Sequence, residues 1–316
     1  MRKSLQGKVA VVAGATRGAG RGIAVMLGEA GATVYCTGRS TRGEARPSGR
    51  GRHSPFDLSR RPETIEETAE RVTANGGIGI PLRVDHTDEA QVKRFFARVE
   101  REQGRLDLLV NDVWGGDELS EWGSPFWELS LKKGLRMLEQ AVHSHILTSR
   151  YAAPLMVRRC LGLIVEVTDG ESLAYRGNLF YDLVKTSVIR LAFNMAEELR
   201  RHKVAALALT PGFLRSEAML DHFGVTEENW REGVKKDPNF AASETPAYIG
   251  RAVAALAADR KIFSKSGGVF SSWGLQAEYG FTDIDGRRPN WGKQAKAGKF
   301  GEEMRRSHLR FLGAFR

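Results

Sequence analysis

The chain has 316 residues, 41% of them apolar, enough for one large core or two modest ones. No apolar run approaches the ~18 residues of a membrane span, and no repeat with a period of about 20–50 residues divides the chain, so one domain with insertions is expected. The net charge of +10 is local: seven arginines face two acids between Arg39 and Arg61, nine Lys/Arg face two acids between Arg287 and Arg316, and the remainder is about −2. Neither basic segment carries an aromatic-and-basic RNA-binding signature or zinc-finger spacing, so nucleic acid is not an expected partner. Two cysteines, Cys36 and Cys160, and an opening Met1 to Leu5 with no apolar signal region behind it suit a reduced cytoplasm.

Val9 to Ala13 reads as a strand that stops at Gly14-Ala15-Thr16-Arg17-Gly18-Ala19-Gly20, with a helix following from Ile23 to Gly31. Strand, glycine loop and helix in that order let a backbone approach a pyrophosphate at a helix N-terminus, which makes Gly14, Arg17, Gly18, Ala19 and Gly20 candidate cofactor contacts. Thr33 to Thr37 is the second strand, followed by Gly38-Arg39-Ser40 where dinucleotide folds read the adenosine ribose. An acid there would repel a phosphate; Gly38 and Arg39, with Arg17 nearby, favour NADP over NAD.

The stretch 41–61 reads as a basic loop insertion. A helix is expected over 62–73 and a strand over 78–84, ending at Asp85, a candidate adenine acceptor. Asp88 caps the next helix, which runs to about Gln103. Leu106 to Val110 is the fourth strand, closing on Asn111-Asp112-Val113-Trp114-Gly115. Trp122, Phe126 and Trp127 read as core or lid packing ahead of a long helix from about 127 to 159, kinked near Pro154. His143 and His145 project from different faces of that helix, so no metal site is expected.

Leu161 to Val167 is strand five, ending at Thr168-Asp169-Gly170; Val204 to Leu209 is strand six, ending at Thr210-Pro211-Gly212. Between them, Val184, Val188, Leu191 and Met195 recur at helical spacing, so Tyr181 and Lys185 share one helix face. Lowering a tyrosine from near ~10 to about 7 needs roughly 4 kcal/mol, which an adjacent ammonium in a dry cleft can supply. Tyr181 is therefore a candidate general acid/base at neutral pH. The aromatic residues scattered through 213–245 read as a mobile lid over a bulky substrate, and helix 246–258 and strand 268–271 complete the sheet. The glycine loop, Arg39, Asp85, Asn111, Thr168 and Pro211-Gly212 all fall at carboxyl ends of strands, where doubly wound sheets bind ligands.

These residues, with Ser216 and the late stretch Tyr279 to Gly286, resemble the short-chain dehydrogenase/reductase family over roughly residues 6–286, leaving 287–316 as a basic tail. The resemblance implies a single α/β domain with a seven-stranded parallel Rossmann-type sheet and NAD(P)-dependent carbonyl/alcohol chemistry. It further implies homodimers or homotetramers built through two long central helices, and a Lys185 that holds the nicotinamide ribose. The cofactor-binding set it implies adds Asn111, Tyr181, Lys185, Pro211, Gly212 and Ser216 to Gly14, Arg17, Gly18, Ala19, Gly20, Arg39, Ser40 and Asp85. Three departures stand out: Trp114 enters a turn that is usually small, the long helix lacks the family's asparagine around Ala141 to His143, and the catalytic serine is missing. Thr168 and Asp169 compete for the serine's place. A hydroxyl can donate to a carbonyl oxygen whereas an ionised carboxylate cannot, so Thr168 joins Tyr181 and Lys185 as the expected catalytic set, with a protonated Asp169 as the rival donor. The expectation is an NADPH-dependent reductase of a medium-sized apolar carbonyl substrate; the alternative is a catalytically weak NADP-binding sensor or scaffold.

Overall fold

A computed structural model describes residues 3–43 and 54–314; the middle of the basic loop expected over 41–61 lies outside them. The chain alternates strands β1 (Val9–Ala13), β2 (Thr33–Gly38), β3 (Ile78–Arg83), β4 (Leu108–Asn111), β5 (Gly162–Val167), β6 (Val204–Thr210) and β7 (Val269–Ser271) with helices. Those are α1 (Gly18–Glu29), α2 (Ile65–Ala74), α3 (Glu89–Gln103), α4 (Leu131–Leu138), α5 (Ser144–Val157), α6 (Leu179–Leu199), α7 (Glu217–Phe223), α8 (Pro246–Ala258), α9 (Ser272–Tyr279), α10 (Trp291–Lys296) and α11 (Gly298–Gly313).

All seven strands pair in parallel in the order β3-β2-β1-β4-β5-β6-β7. β1, β4, β5 and β6 are buried along their whole length, as their Val-, Leu-, Ile- and Ala-rich runs suit once helices cover both faces. Pro81 is tolerated because β3 is an edge strand. One core lies between the sheet and α1, α2 and α8, the other between the sheet and α3, α5 and α6. The order reverses at β1, whose Ala13 pairs with both Thr37 and Asn111. Three strand ends therefore open side by side at the crevice where such sheets bind ligands.

The structure departs from the sequence reading in four places. Helix α1 begins at Gly18 rather than Ile23, because the glycine turn itself supplies the first helical residues. The long helix expected over 127–159 is divided: a short 3-10 turn at Phe126–Glu128, α4, a wide π turn at Glu139–His143, and α5. Pro154 lies inside α5, so the irregularity sits twelve or so residues earlier than proline chemistry suggests. The aromatics of the expected lid form a small core of their own, in which Phe223, Trp230 and Phe240 are buried and Phe213 packs against them. Finally, the basic tail folds: α11 reaches back to the loop before α6, where Leu173 N donates to His308 Nδ1 (3.3 Å) and Tyr175 N to Ser307 Oγ (3.0 Å). No helix among the described residues is long and apolar enough to cross a membrane.

Candidate active site

A cleft of about 930 Å³ runs along the carboxyl ends of β1, β2, β4, β5 and β6. At one end, Gly14 holds φ +92°, and a Cβ on it would lie 2.4 Å from the Asp112 carbonyl oxygen. A Cβ on Gly20 would lie 2.2 Å from the Gly14 oxygen and 2.8 Å from Asp112 Oδ2, so the turn closes only with glycine. The first turn of α1 carries no acid of its own, yet it holds a carboxylate: Gly18 N donates to Glu217 Oε2 at 2.8 Å, and Arg21 Nη1 lies 3.4 Å from Glu217 Oε1. An anion already sits at the helix N-terminus where a phosphate group would. The residues fit a dinucleotide on that observation: a glycine cradle and a helix end held by a stand-in carboxylate.

At the end of β2, Arg17 Nη2 donates to Ser40 Oγ (3.3 Å), and Arg39 Nη1 lies 4.0 Å from Asp85 Oδ2. Arg17 is also held by Glu63 (3.2 Å), which in turn pairs with Arg61, so a ribose phosphate here would compete with one buried acid. Asp85 Oδ1 accepts from the Thr87 N–H and hydroxyl, and these hydrogen bonds lower its pKa against the upward pull of burial. Gly14, Arg17, Gly18, Ala19, Arg39, Ser40, Asp85, Pro211, Gly212 and Ser216 all line the cleft; Ser216 also caps α7 by accepting from Met219 N.

Asn111 is elsewhere. Fully buried, it donates to Ser149 Oγ (2.9 Å) and Glu166 Oε1 (2.6 Å), bracing β4 against α5 and β5 behind the cleft wall, and its neighbour Asp112 lines the cleft instead. Glu166 Oε2 in turn lies 2.6 Å from His145 Nδ1, and His145 Nε2 lies 3.1 Å from the Val113 oxygen.

At the other end of the cleft, Asn178 caps α6 by accepting from Tyr181 N (3.0 Å) and fixes Tyr181 in the first turn. Its own amide donates to the Glu121 oxygen (2.7 Å), tethering the segment that carries Trp122. Lys185 follows one turn later, its Nζ 3.8 Å from the centre of the Trp114 ring. Trp114 stands edge-on to Tyr181 at 5.6 Å and Trp122 tilts over it at 5.1 Å. Trp122, Phe126 and Trp127 are all exposed, so they are not core residues.

Hydrogen bonds distinguish the two candidates for the serine's place. Thr168 is buried and its hydroxyl donates to the Lys185 carbonyl oxygen (2.8 Å), tying β5 to α6. Asp169 faces the tyrosine: Tyr181 Oη donates to Asp169 Oδ2 at 2.8 Å. Both residues line the cleft, but the Thr168 hydroxyl is spent on the Lys185 carbonyl oxygen, so the hydrogen bonds favour Asp169 over Thr168 for that place. The expected lowering of the tyrosine is corrected. Burial, and then the charge and hydrogen bond of Asp169, push Tyr181 well above its ordinary value, and burial lowers Lys185. Arg176, which the sequence reading passed over, orders the loop between β5 and α6, donating to the Asp169 main-chain oxygen (2.8 Å) and to Asp182 (3.1 Å).

The family model described as "Enoyl-(Acyl carrier protein) reductase" matches residues 56–267. Mouse "Dehydrogenase/reductase SDR family member 1" is 38% identical over 288 residues, covering 90% of this chain and 85% of its own. The chain belongs to the short-chain dehydrogenase/reductase family. The human protein of the same name is 36% identical over 297 residues, covering 91% of this chain and 86% of its own. A short-chain dehydrogenase structure from Mycobacterium thermoresistibile superposes with a TM-score of 0.72 at 23% identity, covering 91% of this chain and 92% of that one. Both basic expectations of the sequence therefore hold: the fold is the seven-stranded parallel sheet, and the chain is an oxidoreductase of this family, whose members use a nicotinamide cofactor.

Proposed function

We propose that this oxidoreductase prefers NADP(H) and transfers hydride at a polar double bond, read from the sequence as a carbonyl, of a medium-sized apolar substrate. The observation that carries the reading is the convergence, in one cleft, of the glycine turn and arginines at one end with Tyr181 and Lys185 at the other. The bound dinucleotide supplies or accepts the hydride. The chain's own residues hold its phosphates at Gly18 and the α1 N-terminus, receive a ribose phosphate between Arg17, Ser40 and Arg39, and orient the substrate against Tyr181. Asp169, rather than Thr168, stands in the serine's place, and Lys185 faces the inner part of the cleft from under Trp114. Aromatic walls from Trp114, Trp122, Phe213 and Trp291 support an apolar substrate.

The same reading assigns the protein to the cytoplasm and to a homo-oligomer joined through α5 and α6, which expose Ile146, Leu183 and Phe193. It takes 287–316 as a support for the substrate loop through Ser307 and His308. The test is a paired titration with NADPH and NADH followed by cofactor oxidation across ketones, aldehydes, quinones and imines. Tighter NADPH binding with turnover of at least one class is expected. Tight NADPH binding with no turnover of any class would move the reading to a sensor or scaffold, and equal affinities would remove the NADP preference.

A further inference from the structure

The charges around Tyr181 do not suit a substrate oxygen. When a carbonyl is reduced its oxygen gains negative charge, and the site should offer donors to it. Here the phenol proton is directed at Asp169 (2.8 Å), and the group beside it is an acceptor while ionised. Asp117 lies in the same cleft, positioned by its bond from Trp114 Nε1 (2.9 Å). Of the nearby cations, Arg176 is engaged with the Asp169 main chain and with Asp182. Lys185 rests on the Trp114 face. Asp169 and Asp117 thus face the Lys185 ammonium and an Arg176 guanidinium already paired with Asp182, with the Asp112 carboxyl as a third acid beside Lys185. Trp114 and Trp122 pack against the Tyr181 ring, and the rings already hold one cation, the Lys185 ammonium, 3.8 Å from the Trp114 centre and 5.4 Å from that of Tyr181. Carboxylates framed by aromatic rings select a cation.

We propose that the bond reduced in this cleft is a carbon–nitrogen double bond, bound as its iminium cation with the nitrogen at Asp169 and the hydrocarbon frame against Trp114, Trp122 and Tyr181. The inference deepens the proposed function and rests on the same cleft being the site of hydride transfer. A neutral imine is a poor hydride acceptor, whereas its protonated form is a strong one; a carboxylate at the nitrogen favours the protonated form. The step balances as R2C=NHR⁺ plus hydride giving R2CH–NHR. One C–H bond forms, the π pair moves onto nitrogen, the substrate gains two electrons and the reduced dinucleotide loses them. No proton is consumed in that step. A tyrosine held above its ordinary pKa by burial and then by Asp169, a weak donor to an alkoxide, is no handicap to this chemistry.

The probes are N-methyl-3,4-dihydroisoquinolinium, a permanent cation, and 1-tetralone, a neutral ketone on a similar ring frame. Each is titrated against the protein without dinucleotide, reading tryptophan fluorescence, and each is then assayed for NADPH oxidation. The expected result is iminium binding that weakens at least tenfold in Asp169→Asn while tetralone binding is unchanged, with kcat/KM at least tenfold higher for the iminium. NADPH binding by the Asp169→Asn protein verifies that it is folded. Tetralone turned over faster than the iminium, or iminium affinity unaffected by Asp169→Asn, overturns the inference and leaves the oxidoreductase reading standing. Where neither probe is turned over, the fluorescence titration decides alone. Loss of NADPH binding by the wild-type protein would instead sink the proposed function itself.

Discussion

Glu217 is the residue whose removal should help the protein bind its cofactor. Its carboxylate accepts from Gly18 N at 2.8 Å and lies 3.4 Å from Arg21, so it holds the helix end that a phosphate group needs. A hydrogen bond to a charged group contributes a net ~1.5–3 kcal/mol and a neutral one about 0.5–1.5, so Glu217→Gln should weaken the competing contact by about 1–1.5 kcal/mol. The side chain is 26% exposed, and solvent screening trims this to about 1 kcal/mol. At 1.4 kcal/mol per decade, NADPH should bind roughly fivefold more tightly. The assay is dihydronicotinamide fluorescence at fixed ionic strength, with Glu232→Gln, an exposed acid of the same 213–245 segment, as the control for net charge. The gain should shrink as salt rises. Unchanged or weaker binding in Glu217→Gln, with the control also unchanged, would show that the carboxylate does not compete for the phosphate site.

Arg39→Ala should weaken NADPH by at least tenfold and leave NADH unchanged, because one charge-assisted bond of ~1.5–3 kcal/mol is lost only with the phosphorylated ribose; parallel losses for both cofactors would refute it. Tyr181→Phe should cost a ketone substrate two or more orders of magnitude in turnover, the usual scale of general acid catalysis at ~10²–10⁴, but an iminium less than tenfold, since only the ketone needs a proton. Equal losses for both substrates would mean that Tyr181 acts by position alone. Thr168→Val should lower Tm by a few degrees, in line with about 1 kcal/mol for a buried hydrogen bond, and leave NADPH affinity intact; a normal Tm with turnover lost would return Thr168 to the chemistry.

The sheet was legible because its signals are redundant. Six runs of strand length each end at a turn, and the first glycine loop and Tyr181 to Lys185 fall at the ends where ligands bind. The finer site was legible only as composition. Thr168 and Asp169 are adjacent, lie just past the end of β5 and both reach the cleft, so the choice between them rests on which hydrogen bonds each makes, and no spacing rule resolves that. The π turn at 139–143 carries no proline or glycine to announce it. Asn178 could have been found, since an Asn three residues before Tyr181 is a capping signal. Arg176 could not, because its role depends on the loop's fold. The tail read as a basic run because its charges dominate the count, while uncharged groups such as Trp291, Gln294 and Ser307 also anchor it.

Asp112 makes the cleft's charge depend on pH. Burial raises its carboxyl to about 7, against the pull of Lys185 and the Gly20 N–H. In the unfolded chain the same group releases its proton near 3.8. Between those values the folded protein holds more protons than the unfolded chain, so stability falls as pH rises through this window and levels off above about 7. Asp112→Asn removes that slope while its amide oxygen can still accept from Gly20 N. The difference in Tm, wild type minus variant, should therefore decline from pH 4 to pH 7 and then stay flat. Ligand binding must follow the same charge: as Asp112 ionises, a bound cation gains and a bound phosphate group loses. Wild-type affinity for N-methyl-3,4-dihydroisoquinolinium should accordingly rise between pH 6 and pH 8 while NADPH affinity falls, and both trends should flatten in Asp112→Asn. Parallel Tm curves for the two proteins would show that Asp112 is already ionised in the folded state and that Lys185 fully offsets its burial.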